Sequence, residues 1–413
     1  MTIFRALLDT RFSALIFVAA LFLIYVVMSL GVNFLSPNPY FEELAIISFI
    51  GCFFIGIGFY LPLFDCRFRI DAKRFAIKSN AFHGTVWILF IVLILVVLST
   101  AETIPIISVF QGAGVGELSN QRGAFLKGRI GMELSLLYLS TFFVGGLLPY
   151  SLINLFIEKS RLRHYLLMIF FVYTICSLQK MLFINVLLPM IYLISRKVKF
   201  TYLRIFYLTV ISLIILIVLT ILASGGQFNF NTSQQASDLS VYFSSSYTPS
   251  SVIDLLTWRS IAVPLFTATD TLLVFHENFD GKHLLGATST LLSLLFSMEH
   301  IPFEKLVFAK QFAWNDIANA NATFIVDAYI NFGWIGIVCF SIFVGQSCRW
   351  FCKSKDEAFK SLFLIYLFVI FQSTLIGTLF SNGYVLIFFI ALFVKLKSNS
   401  SVSKVEYSGK FKS

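Results

Sequence analysis

An aspartate and an asparagine lie four residues apart in NANATFIVDAYINFGWIG, at Asp327 and Asn331. In a helix that spacing puts both side chains on one face, so a proton acceptor sits beside a hydrogen-bond donor. Asp327 then serves as a general base, orients a basic residue, or complements the dipole of a helix start. A second group is cationic. Arg122, Lys127 and Arg129 crowd the stretch SNQRGAFLKGRIG, and Gly123, Gly128 and Gly131 leave room for close backbone approach. Guanidinium forks match phosphate oxygens, so this cluster suits a phosphorylated ligand, with contact to lipid headgroups as the plainer reading. Lys180 and Arg259 are single cations inside the apolar stretches SLQKMLFINVLLP and LLTWRSIAVP. A charge in such a place either faces an internal cavity or partner, or snorkels to the interface.

The elements that must position these groups are helices in lipid. Apolar residues make up 58% of the 413-residue chain and charged residues 13%, and the mean hydropathy is +0.86. A soluble chain of this length carries about 25% charged residues and cannot hide so much apolar surface. Crossing about 30 Å of hydrocarbon takes roughly 20 apolar residues. The sequence predicts spans near 13–32, 43–64, 83–100, 132–156, 165–179, 181–195, 205–223, 327–348, 361–379 and 383–394. The fold class expected is therefore an all-α polytopic membrane protein with about ten transmembrane helices.

Charge sets the orientation. Of the 31 Lys and Arg, 23 fall on one side of these spans and 8 on the other, while the acidic residues run 7 against 14. The basic side is cytoplasmic by the positive-inside rule, which puts both termini there. The same distribution explains the net charge of +10 without a nucleic-acid partner. The chain divides into residues 1–223, holding seven helices and a short outer segment at 101–131, a large outer loop at 224–326, three more helices within 327–394, and a basic tail at 395–413. The first apolar stretch lacks a small-x-small cleavage site and reads as a retained span. Within the large loop, SGGQFNFNTSQQASDLS is polar and expected to be flexible. LLTWRSIAVPLFTATDTLLVF and LLGATSTLLSLLFSM suit amphipathic or re-entrant helices, interrupted at Arg259, Pro264 and Asp270.

Several chemistries find no support. GAGVG at 112–116 has no following Lys-Ser/Thr and is no phosphate-binding loop. His276, His283 and His300 lack ligand spacing, and Cys348 and Cys352 have no histidine partners, so no metal is expected. No paired-aspartate motif exists to hold a metal–nucleotide-sugar complex, and no cysteine lies in an outer loop.

Four stretches together, SNQRGAFLKGRIG, SLQKMLFINVLLP, WRSIAVP and DAYINFGWIG, give the chain a layout that resembles the Wzy-type O-antigen and capsular polysaccharide polymerases. The family often has an arginine near the position of Lys180, and this chain departs from that. The resemblance implies a glycosyltransferase of the bacterial inner membrane, independent of metal and cofactor. Its substrates would be undecaprenyl-pyrophosphate-linked oligosaccharides, joined by block transfer at the outer face. It implies diphosphate contacts for Arg122, Arg129, Lys180 and Arg259, with Arg259 also in the catalytic set. Asp327 would be the base or orient it, and Tyr329 and Asn331 would position sugar. A separate chain-length regulator is the implied protein partner. An O-antigen-ligase-like transferase and a transporter or flippase of lipid-linked sugars remain as alternatives from the residues themselves.

Overall fold

The computed structural model describes residues 9–65, 75–112, 115–126, 128–129, 131–178, 180–197, 239–312, 320 and 322–397. In chain order the described elements are α1 (Thr10–Leu35), α2 (Pro39–Tyr60), β1 (Phe75–Lys78), α3 (Ser79–Thr100), α4 (Pro105–Phe110), α5 (Val115–Leu126), α6 (Gly131–Ile157), α7 (Arg163–Ser177) and α8 (Lys180–Lys197). After these come α9 (Leu239–Tyr242), α10 (Val252–Phe279), α11 (Thr290–Leu295), α12 (Phe303–Phe312), α13 (Phe324–Lys353), α14 (Glu357–Ser361), α15 (Phe363–Phe371), α16 (Tyr384–Phe393) and β2 (Val394–Lys397). The chain is a helical membrane protein. Among the described residues α1, α2, α3, α6 and α13 are long and apolar enough to cross a bilayer, while α7 and α16 are apolar but shorter. The span expected at 205–223 and the polar stretch 224–238 lie outside the described residues.

Local chemistry explains where the helices start and stop. Pro39 opens α2 at a position that needs no amide hydrogen, and the Asn38 side chain accepts from the Tyr40 amide. Ser251 caps α10 by accepting from the amide of Asp254, and Asp280 ends it in the left-handed conformation. Pro264 was expected to interrupt this stretch, yet α10 runs for 28 residues straight through it. The predicted span at 361–379 is instead divided between α14, α15 and a π-helical turn at Gly377–Ser381. The segment 101–131, expected on the outer side, contains two helices among its described residues, α4 and α5. A parallel two-stranded ribbon pairs Phe75–Lys78 with Val394–Lys397, a feature the hydropathy pattern gives no hint of.

The central packing unit is α2 against α13. The backbone of α13 at Gly345 meets the carbonyl of Ile55, and Gly58 on α2 meets the carbonyl of Ile342. Small residues at both crossing points let the helices approach closely, the usual solution where lipid supplies no hydrophobic drive. At one end Arg349 grips Asp65 with Nε 2.9 Å from both carboxylate oxygens, and Trp350 Nε1 donates to the Leu63 carbonyl at 2.8 Å.

The predicted eighth span is not one straight helix. Gly333 breaks α13 at φ 61°, ψ −147°, a conformation open only to glycine. Gly336 packs on the carbonyl of Ala328, eight residues earlier, whereas a continuous helix would separate them by about 12 Å. Residues 324–332 thus form a short helix that folds back on the span proper. Its Ile325 side chain lies on Gly51, about 18 Å along α2 from Pro39, so the short helix sits beside α2 and not beyond its end.

Candidate functional site

The break at Gly333 creates a docking place. Carbonyls of Ile330 and Asn331 lose the amides that a continuous helix would offer them. The segment 284–288 supplies replacements: Leu284 N donates to Ile330 O at 3.0 Å and Leu285 N to Asn331 O at 2.8 Å. The Asn331 side chain completes the clamp, with Oδ1 accepting from Gly286 N at 3.1 Å and Nδ2 donating to Thr288 Oγ1 at 2.8 Å. The four-residue spacing with Asp327 does put both on one face, since Asn331 Nδ2 donates to Asp327 Oδ1 at 3.0 Å. Gly333 also has no room for a side chain, because a Cβ would lie 2.6 Å from His283 Nε2.

Asp327 lines a cavity of about 850 Å³. Its polar wall carries Thr288, Thr290, His300, Glu304 and Lys305 beside Asp327. The rest of the lining is largely apolar and includes Leu134, Leu137, Leu139 and Phe142 on α6 and Ile376 and Phe380 beside the π-helical turn. Several wall residues also face outward: Leu139 and Phe380 are about half exposed and Leu294 is 80% exposed. The cavity thus joins ionisable groups to apolar side chains that are themselves part-exposed at the protein surface. One of the described π segments, Gly377–Ser381, lines it, and another, Phe143–Leu147, begins just after the lining residue Phe142; such bulges favour functional sites.

Arg122 and Arg259 form a separate group. Arg259 remains open to solvent, yet enough protein surrounds its guanidinium to push its pKa below the usual range. Burial lowers Arg122 in the same way, and the nearby charge of Arg259 lowers it further. Two guanidiniums within Coulombic reach concentrate positive charge in this part of the protein. Beside them Trp258 anchors α10, donating from Nε1 to the Tyr242 carbonyl at 2.9 Å and packing on Phe266. Arg259 lies about 18 Å along α10 from Thr271, the residue of that helix that lines the cavity.

The remaining candidates divide. Arg129 is buried and spends its donors on protein: Nε on Phe125 O at 2.9 Å, one terminal nitrogen on Val97 O at 2.9 Å, the other on Thr100 Oγ1 at 2.5 Å. It ties down the end of α3 through the Val97 carbonyl and the Thr100 hydroxyl, a structural role in place of the diphosphate contact expected for it. Lys180 begins α8, but its side chain lies outside the described residues, as does Lys127. Tyr329 is absent from the cavity wall. It stands in a ring cluster with Phe275, His283 and Trp334, and its hydroxyl meets Glu43. Glu43 in turn holds His276 Nε2 at 3.0 Å.

The sequence did not single out Thr288, Glu304 or Lys305, and it weighed His300 only as a metal ligand. The one available signal was polar density, HIPFEK following an apolar run. No family model, curated protein or solved structure matches this chain.

Proposed function

We propose that the protein polymerises undecaprenyl-pyrophosphate-linked oligosaccharide repeat units at the outer face of a bacterial inner membrane, as a member of the Wzy-type family. The observation that carries this reading is the cavity of mixed lining, with carboxylates and an imidazole together with half-exposed leucine and phenylalanine. A polyprenyl-linked sugar is mixed in the same way, and few other substrates need both kinds of lining at once. The shorter helices would complete about ten spans with both termini in the cytoplasm, which is where the excess of Lys and Arg belongs.

In the proposed reaction a sugar hydroxyl of one lipid-linked unit attacks the anomeric carbon of the growing chain. The bond to the diphosphate breaks, and undecaprenyl pyrophosphate leaves. Donor and acceptor each carry a diphosphate, so two cationic stations are required. Lys305 on the cavity wall supplies one, beside the reacting bond, and the Arg122–Arg259 pair supplies the other. The oligosaccharide of the acceptor then bridges the gap between them. Fixed cations aimed at a leaving diphosphate stabilise the transition state more than the ground state.

The test is a gel of surface glycan from a strain deleted for the gene, beside a complemented strain. Collapse of the ladder to core plus one repeat unit is the expected result, since export and attachment survive. Loss of every repeat unit, the first included, refutes polymerisation and points to a ligase or flippase.

A further inference from the structure

We propose that His300 is the general base of the transfer, an assignment that rests on the polymerase reading above. His300 lines the cavity with Glu304, Lys305 and Asp327, and its ring is open to solvent. Its Nδ1 lies 3.1 Å from the carbonyl oxygen of Ala287. A carbonyl only accepts, so Nδ1 carries the hydrogen and Nε2 keeps the lone pair of the neutral ring. Nε2 faces the Thr290 hydroxyl at 3.5 Å, a contact long enough to yield to a substrate hydroxyl.

The orienting carbonyl is itself fixed. Ala287 O also accepts from Ile301 N at 3.0 Å, and Ala287 belongs to the segment clamped on α13 by Asn331 and the freed carbonyls of Ile330 and Asn331. Asn331 is therefore a positioning residue for His300. Asp327 is 6% exposed, and its Oδ1 is occupied by the Asn331 amide, which makes it a partner in the clamp and leaves the imidazole as the more accessible acceptor.

The acceptor hydroxyl oxygen bonds to the anomeric carbon, and the carbon–oxygen bond to the diphosphate breaks. Its electron pair leaves with undecaprenyl pyrophosphate beside Lys305, and the hydroxyl proton passes to His300 Nε2 and then to water.

Two variants test this in purified full-length protein in lipid nanodiscs. The probe is the lipid-linked single unit extracted from cells lacking the gene. His300→Asn keeps a donor for the Ala287 carbonyl and removes the base, whereas His300→Ala leaves space for added imidazole. Both should stay folded, bind the lipid-linked unit as wild type does, and polymerise at least about 100-fold more slowly. Imidazole should restore His300→Ala in proportion to its concentration and leave His300→Asn unchanged. Polymerisation by His300→Asn within a few-fold of wild type overturns the assignment, as does a loss that imidazole leaves untouched and that tracks lost binding. Wild-type protein that cannot polymerise the unit at all refutes the polymerase reading instead, before either variant is measured.

Discussion

Replacing Asn331 by alanine removes the side chain that ties segment 284–288 to the broken helix. Its Oδ1 accepts from the buried amide of Gly286 at 3.1 Å, and its Nδ2 donates to Thr288 Oγ1 at 2.8 Å and Asp327 Oδ1 at 3.0 Å. Alanine leaves the buried Gly286 amide unpaired, at about 1–3 kcal/mol, and removes the bonds to Thr288 and Asp327, at about 1 kcal/mol each. The clamp should weaken by about 4 kcal/mol, which corresponds to roughly a 1,000-fold rise in local opening. Amide exchange followed by mass spectrometry on a peptide covering 284–288 reads that change directly. Protection there should fall by about that factor, while peptides from the α2–α13 crossing keep theirs. Polymerisation should fall with it, because Ala287 no longer holds the imidazole. Unchanged exchange at 284–288 would refute the claim that Asn331 holds this segment. A large exchange change with full activity would refute the claim that the segment positions the base.

Gly333→Ala should fail more severely, since its backbone angles exclude a side chain and a Cβ would strike His283. Strain of about 1–3 kcal/mol adds to the clash, read as a lower yield of monodisperse protein in detergent. Gly345→Val forces α13 away from the Ile55 carbonyl and should cost about 3 kcal/mol or more, seen as a lower melting temperature, whereas Gly56→Ala meets open space and should behave as wild type. Arg129 and Arg122 should separate by phenotype. Arg129→Ala releases Val97 and Thr100 and lowers the amount of folded protein, at about 1–3 kcal/mol. Arg122→Ala should reduce polymerisation about 100-fold per folded molecule. A double-mutant cycle on Arg349 and Asp65 should return a coupling of about 1 kcal/mol, since the pair is bidentate but partly exposed.

What was legible in the sequence was whatever depends on near neighbours. Asp327 and Asn331 share a face because helical geometry fixes residues four apart, and lipid-compatible helices announce themselves by length and hydropathy alone. The fold-back at Gly333 and Gly336 was not readable, since a glycine in a helical pattern signals permission and not direction. Pro264 misled for the same reason: its local cost is real, and the packing of Trp258 and Phe266 on either side of it outweighs that cost. Arg129 misled in the opposite sense. Nothing near it in sequence shows that its guanidinium meets the end of α3, thirty-two residues away at Val97.

His300 was the hardest to see, and the reason is physical. An imidazole becomes a directed base only when something fixes which nitrogen holds the hydrogen. Here that is the carbonyl of Ala287, thirteen residues earlier. The carbonyl is held because Leu284 and Leu285 replace the amides that the break at Gly333 took from Ile330 and Asn331. Each link joins segments far apart in the chain, so residue type and local spacing carry none of it. The same dependence gives the idea its sharpest consequence. Asn331→Ala and His300→Asn should not be additive in polymerisation rate, because the first acts through the group that the second removes. A double variant as slow as the product of the two single effects would mean that Asn331 acts on something other than His300.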